Sequence, residues 1–468
     1  MDTKYWNIDR LGRLYKDWDP EVLKKLATKI AKSHWRPGYH ITTQTGLLND
    51  PNGFSYFNNQ WHLFYQAFPY GAVHGLKSWQ HMVSDDLVHW KFIDKPMVPD
   101  IYYDRNGCYS GSAINVDGKL FLMYTGNTFE GEEMARHPYQ LGAWMDADNN
   151  ISKLDHPLIE SEPEGVTGHF RDPQVIKHGD YYYAFLGAQT VDNAGEILTY
   201  RTKDIENGWK LYKKLDLGTD NLGYMAECPN VGFVDGKVVV IFCPQGADKH
   251  EFHYDNVHPN AYIVADDLDF ESMKLINPSK MKQLDEGFDY YATQVLNSPD
   301  GRLLSVGWVG LPDTEYLSDQ EGWEGELSMV RELHIENGNL TQRPVQEFKQ
   351  LIEEDEASDT DLQKHIEAAP FDEHFNLNLE SEDSYLRLSY DESDQEWTLK
   401  RKNVGEDVSI RTFKGEASSI DFYLDNTVFE IYILGGKITM TGQFFHDGNE
   451  VRVNSENMIV KQNRVNNM

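Results

Sequence analysis

Asn49-Asp50-Pro51-Asn52-Gly53-Phe54-Ser55-Tyr56-Phe57-Asn58-Asn59-Gln60-Trp61-His62-Leu63-Phe64-Tyr65 reads as a turn, a short strand, a tight hairpin turn and a second strand. Asn49, Pro51, Asn52 and Gly53 each fix φ or tolerate positive φ, so Asp50 sits where a chain enters a strand. Asn58-Asn59 between two apolar runs is a hairpin signal. The unit recurs at intervals of about 60 residues. Its later copies are Asp117-Gly118-Lys119-Leu120-Phe121-Leu122-Met123-Tyr124, His178-Gly179-Asp180-Tyr181-Tyr182-Tyr183-Ala184-Phe185, Asp235-Gly236-Lys237-Val238-Val239-Val240-Ile241-Phe242 and Asp300-Gly301-Arg302-Leu303-Leu304-Ser305-Val306-Gly307-Trp308. Further short strands follow, such as Ser78-Trp79-Gln80-His81-Met82-Val83-Ser84 and Asn260-Ala261-Tyr262-Ile263-Val264. A unit of short strands repeated in this way predicts an all-β fold, a five-bladed β-propeller. The strand before each hairpin would be innermost, so that its start faces the central axis.

Three of those inner strands open on a carboxylate one or two residues before a proline. Asp50 opens the first; His169-Phe170-Arg171-Asp172-Pro173 precedes the third, and Met225-Ala226-Glu227-Cys228-Pro229-Asn230 the fourth. Ser110-Gly111-Ser112 and Tyr291-Ala292-Thr293-Gln294 open the second and fifth. Two carboxyl groups in opposite protonation states suit glycoside hydrolysis, one attacking or activating water and the other protonating the leaving oxygen. Their environments must push their pKa values apart. Arg171 beside Asp172 is expected to hold that group ionised, whereas Cys228 and Pro229 bring no positive charge to Glu227, which is therefore the expected acid.

The expected organisation is an N-terminal helical extension (1–36), the propeller (37–344), a charged helical linker (345–359) and a C-terminal β-sandwich (360–468). Asp19-Pro20 is an N-cap followed by a proline in the first turn, with Val22, Leu23, Leu26 and Ile30 at helical spacing. Phe375-Asn376-Leu377-Asn378-Leu379 and Val428-Phe429-Glu430-Ile431-Tyr432-Ile433 carry the strand patterns of the sandwich.

A formal charge of −33, from 76 acidic and 43 basic residues among 468, disfavours nucleic acid and anionic membranes as partners. Cys108, Cys228 and Cys243 have no metal-ligand spacing, so reduced thiols, no metal and no cofactor are expected. The segment Met1–Asn7 lacks the apolar core of a signal peptide, and the chain reads as cytoplasmic. A small-molecule sugar is the expected partner, with homo-oligomerisation left open.

Taken together, Asn49-Asp50-Pro51-Asn52-Gly53, Phe64-Tyr65-Gln66, Trp79 to Trp90, Tyr109-Ser110-Gly111-Ser112, Phe170-Arg171-Asp172-Pro173, Glu227-Cys228-Pro229 and Trp323-Glu324-Gly325-Glu326-Leu327-Ser328 resemble glycoside hydrolase family 32, the β-fructofuranosidases, over nearly the whole chain. The resemblance implies a five-bladed propeller with a C-terminal sandwich. It also implies a retaining mechanism with Asp50 as nucleophile, Glu227 as acid/base and Asp172 as a stabiliser bonded to fructosyl hydroxyls. Leu47, Leu48, Asn49, Gln66, Tyr109, Ser110, Arg171 and Trp308 are the expected substrate contacts. Gly71-Ala72-Val73-His74-Gly75-Leu76-Lys77-Ser78-Trp79 and Asp285-Glu286-Gly287-Phe288-Asp289-Tyr290-Tyr291 are most similar to members acting on sucrose-6-phosphate, with His74 and Lys77 as expected phosphate contacts. Leu47-Leu48 where many members have Trp-Met, Tyr109 for Phe, and Ala226 for Trp depart from the pattern. A fructan hydrolase or fructosyltransferase, and a catalytically silent carbohydrate-binding propeller, are the competing readings.

Overall fold

The computed structural model describes residues 5–130, 135–247, 252 and 257–468. Residues 1–4, where the expected N-terminal extension begins, lie outside them. The helix Glu21–Ile30 forms where its apolar spacing predicts, and Asp19 Oδ1 accepts from the Glu21 amide at 3.0 Å. Its Val22 and Leu23 pack on a cluster of Trp18, Leu47, Phe68, Tyr70 and Leu76. Among the described residues no helix is long and apolar enough to cross a membrane.

Five antiparallel sheets follow in chain order. Their first strands are Gly46–Phe57, Cys108–Val116, Val166–His178, Met225–Val234 and Tyr291–Asn297. Each first strand contacts the first strand of the next sheet, and the fifth contacts the first. The short strand Trp323–Glu324, between the second and third strands of the fifth sheet, pairs in parallel with Gly46 and Leu47 and so ties that sheet to the first. The hairpin turns Asn58-Asn59, Asp117-Gly118 and Asp235-Gly236 have positive φ at both central residues, as their sequences require.

All five first strands carry a β-bulge at the same place, two residues opposing one on the second strand. The extra residues fall between Asn52 and Ser55, Cys108 and Gly111, Arg171 and Gln174, Glu227 and Asn230, and Tyr291 and Gln294. Gly53, Asp172, Cys228 and Ala292 occupy the left-handed region there, with φ of 55°, 64°, 48° and 52°. A bulge bends a strand and re-aims its side chains. At Gly53 a Cβ would lie 2.8 Å from the Phe64 ring, so that position excludes other residues twice over.

Residues 352–465 form a six-stranded and a five-stranded sheet enclosing one core, with Phe375, Leu377, Trp397, Phe429 and Ile431 among its members. The stretch expected as a helical connector is instead the 3-10 helix Gln346–Leu351 followed by the edge strand Ile352–Glu356, which pairs with Met458–Val465. Phe348 and Leu351 are the buried anchors of the turn. The acidic run Glu353–Glu356 then stands on a sheet edge, where charge blocks further pairing.

A buried ionic cluster joins this double sheet to the five before it. Arg331 binds Glu430 Oε2 through Nη2 at 2.7 Å and Asp285 Oδ2 through Nη1 at 3.2 Å. His40 Nδ1 faces Asp425 at 2.8 Å and its Nε2 faces Glu430 at 3.1 Å. Both ring nitrogens meet carboxylates, so both donate and the ring is an imidazolium. Burial acts to lower its pKa, but the bonds to Asp425 and Glu430 outweigh that and push it up to about 9.

A raised folded-state pKa contributes stability that is complete below the unfolded value of ~6.5 and is lost as pH rises through the folded one. The thermal midpoint is therefore expected to fall between pH 6.5 and about 9, by an amount on the order of 3 kcal/mol in stability. His40→Gln should be less stable at pH 6 and flatten the profile; an unchanged slope in that variant would show that His40 is not the titrating group.

Candidate active site

Asp50, Asp172 and Glu227 converge although they lie on three different first strands. Asp50 sits in a second bulge of its strand, between Leu48 and Pro51. Its Oδ2 accepts from Ser110 Oγ at 2.5 Å and its Oδ1 from Asn49 Nδ2 at 3.0 Å. Ser110 Oγ accepts in turn from Gln66 Nε2 at 2.5 Å, and Asn49 Nδ2 also donates to Gln66 Oε1 at 3.0 Å. Lys77 Nζ donates to Asn49 Oδ1 at 2.6 Å. Every amide in this chain has its orientation fixed by its neighbours, and the donors all lead toward the Asp50 carboxylate.

Asp172 Oδ2 accepts from the Cys228 amide at 3.1 Å, and Cys228 Sγ lies 3.7 Å from Asp172 Oδ2 and 4.0 Å from Asp50 Oδ2. The thiol thus separates the two aspartates. Glu227 is held on the other side: Oε1 accepts from Arg171 Nε at 3.0 Å and also from Nη2, and Oε2 accepts from Tyr291 Oη at 2.6 Å.

This wiring overturns the electrostatics expected from adjacency. Arg171 pairs with Glu227, and its Nε stands 3.9 Å from Asp172 Oδ2. Successive strand side chains point to opposite faces, and the left-handed backbone at Asp172 turns its carboxyl toward the Cys228 amide. Burial would raise Glu227, but the Arg171 charge and the Tyr291 bond outweigh it and hold the carboxyl below its usual value. Burial pushes Asp172 up to about 7 against the pull of Arg171, with Glu227 and Asp50 adding to the rise. Burial also raises Asp50, opposed by the Ser110 bond. Of the three, Asp172 is therefore the carboxyl that titrates near neutral pH.

The remaining expected contacts divide. Asn49, Ser110 and Arg171 touch the carboxylates directly, Gln66 reaches Asp50 only through Asn49 and Ser110, and the Tyr109 carbonyl accepts from Trp79 Nε1 at 3.0 Å beside them. Leu47 and Leu48 are fully buried, Leu47 under the N-terminal helix and Leu48 in a core shared with Cys228 and Tyr291. Trp308 is buried too, with no hydrogen-bond partner for Nε1 among the described residues. Lys77 is only 4% exposed, and burial lowers its pKa to about 7 against the attraction of Asp50 and Glu324. His74 is exposed, edge-on to Trp308 with ring centres 6.2 Å apart, and its Nδ1 accepts from Lys77 Nζ at 3.1 Å.

Sequence reasoning did not assign Tyr291 to the site, although it opens the fifth inner strand as Asp50, Asp172 and Glu227 open theirs. A small cavity lined by Asn52, Ser110, Asp172, Pro229 and Thr293 lies beneath the carboxylates. A larger one, about 400 Å³, lies along the later halves of the same strands and is lined by no carboxylate.

Comparison with known proteins bears on this arrangement. Residues 40–344 match the glycosyl hydrolases family 32 N-terminal domain, and residues 328–466 the family 32 C-terminal domain. A sucrose-6-phosphate hydrolase of Pediococcus pentosaceus is 40% identical, covering 96% of this chain and 93% of its own. The solved sucrose-6-phosphate hydrolase of Lactobacillus gasseri superimposes with a TM-score of 0.93 at 38% identity, over 99% of both chains. A Bombyx mori family 32 β-fructofuranosidase reaches 0.85 at 27% identity, over 96% of this chain and 98% of that one.

Tyr291 donates to the ionised form of Glu227, so Tyr291→Phe is expected to raise that carboxyl's pKa. Carbon-13 NMR titration of labelled glutamate carboxyls, with Glu227→Gln to assign the resonance, measures it directly. An unmoved titration would show that Arg171 alone sets the Glu227 charge state.

Proposed function

The chain belongs to glycoside hydrolase family 32, and on that premise we propose that it hydrolyses the β-fructofuranosyl bond of sucrose-6-phosphate, releasing fructose. The observation that carries this reading is the differential wiring of Asp50 and Glu227 across one buried site. Retaining glycoside hydrolysis needs one carboxylate to attack the anomeric carbon and a second carboxyl to protonate the leaving oxygen. Asp50, aligned by Ser110 and Asn49, is the nucleophile. Its attack on the fructosyl anomeric carbon breaks the glycosidic bond while Glu227 delivers a proton to the departing oxygen. Glu227 then takes a proton from water, which attacks the covalent fructosyl-enzyme and frees Asp50. Asp172 hydrogen-bonds fructosyl hydroxyls, and the proton that Glu227 delivers is the one it took from water in the preceding turnover. Asn49, Gln66, Ser110, Tyr109 and Arg171 complete the sugar site.

The five sheets are read as blades of a propeller over residues 37–344 and the two C-terminal sheets as a β-sandwich over 360–468, with 1–36 as extension and 345–359 as a connector that adds the edge strand Ile352–Glu356 to the sandwich. Successive contacts between first strands and the tie from Trp323–Glu324 to the first strand support that reading. A phosphorylated sugar is retained inside the cell, so the enzyme is placed in the cytoplasm. Hydrolysis of fructans or fructosyl transfer would use the same three carboxylates with a different acceptor. Side-by-side steady-state assays on sucrose-6-phosphate, sucrose and inulin separate these, with the highest kcat/KM expected on the phosphorylated sugar and a preference for inulin refuting the assignment.

Asp50→Asn and Glu227→Gln are each expected to lower kcat by at least ~10²- to 10⁴-fold with circular dichroism unchanged. With Asp50→Ala and azide, the expected product is the fructosyl azide of inverted configuration, since the anion replaces the nucleophile. Recovery of the retained azide would remove Asp50 from that role.

A further inference from the structure

We infer that the phosphate of the substrate is bound by Arg136, with His169 beside it, on the wall of the site that carries Glu227. The inference rests on Glu227 protonating the leaving oxygen, because the phosphate-bearing glucosyl group then extends past Glu227 and away from Asp50. Arg136 lies on Ala135–Met145, the third strand of the second sheet, opposite Phe129. Its guanidinium is half-buried, 5.6 Å from the Tyr109 ring centre and 5.9 Å from that of Phe129. It forms no ion pair with a carboxylate among the described residues, although Glu227, Asp172 and Arg171 all lie within its electrostatic reach. Holding a guanidinium partly out of water with no ion pair among the described residues is costly. An arriving phosphate, which matches the guanidinium fork, would relieve that cost.

The neighbouring wall supports the placement. Gly168 lets the third sheet's first strand abut the Arg136 backbone: a Cβ at Gly168 would stand 2.5 Å from the Arg136 carbonyl oxygen. That contact puts exposed His169 next to Arg136. His169 Nδ1 accepts from Arg171 Nη1 at 3.1 Å, so the neutral ring carries its hydrogen on Nε2 as a further donor. Two guanidiniums, those of Arg136 and Arg171, therefore lie near Glu227 and Asp172 in a chain of formal charge −33. Lys77, by contrast, is spent on Asn49 and His74 on the Asp50 side.

The test compares kcat/KM for sucrose-6-phosphate and sucrose in Arg136→Gln, Arg136→Lys and Lys77→Met. The ratio of the two constants is expected to fall ~10- to 100-fold in Arg136→Gln, mostly through KM, and by less in Arg136→Lys, which keeps the charge and loses the fork. Inhibition of sucrose hydrolysis by glucose 6-phosphate should weaken by a similar factor while inhibition by glucose does not. An unchanged ratio in Arg136→Gln, or a ratio that falls in Lys77→Met instead, would overturn the proposal. Should Arg136→Gln fail to fold, wild-type inhibition by glucose 6-phosphate no tighter than by glucose would overturn it as well. Failure of the underlying role of Glu227 would show separately, as Glu227→Gln leaving both sugars unaffected.

Discussion

Three carboxyl groups buried within reach of one another set the terms for the rest of the site. Burial and mutual repulsion both favour protonation, so each group that is to stay ionised must be given donors. The protein supplies them unequally. Glu227 receives a guanidinium and a phenol, Asp50 a hydroxyl and an amide, and Asp172 a backbone amide. Unequal donation is what spreads the affinities of the three for a proton, and it is delivered by residues from the first, third, fourth and fifth inner strands together with Ser110 of the second.

Those donors reach the carboxylates because of the repeated bulge. A regular strand would alternate its side chains and send Asp172 away from the Cys228 amide. The left-handed residue in four of the five strands bends the chain at one common level, so that side chains before the bend gather on one side. Asp172 and Cys228 are non-glycine residues held at positive φ, a cost of about 1–3 kcal/mol each that the surrounding packing must offset. Strain of that kind falls here on residues that touch the reacting groups.

The C-terminal sheets contribute no side chain to the carboxylate site, yet they are anchored close behind it. The loop 285–289 is the wedge between the two: Asp285 Oδ1 accepts from the Thr441 amide at 2.8 Å and Asp289 Oδ2 from the Gln443 amide at 2.9 Å. Tyr291 begins two residues later. Docking of the two parts therefore positions the start of the fifth inner strand, whose hydroxyl holds Glu227.

The repeat of hairpin and strand, the all-β class, the N-terminal helix and the convergence of Asp50, Asp172 and Glu227 were determined by the sequence alone. Turn chemistry and apolar alternation are local, and a repeat converts local position into a common place in space. Asn49, Gln66, Ser110 and Arg171, expected from the family resemblance as substrate contacts, gather around the carboxylates for the same reason. Tertiary structure alone decided which carboxylate Arg171 serves, because one left-handed residue reverses what adjacency suggests. It also decided that Leu47, Leu48 and Trp308 are buried, that the charged stretch 352–356 is an edge strand, and that Arg136 from the third strand of the second sheet lies within electrostatic reach of Glu227. Each of these depends on contacts between segments far apart in the chain, and neither spacing nor composition encodes where such segments meet.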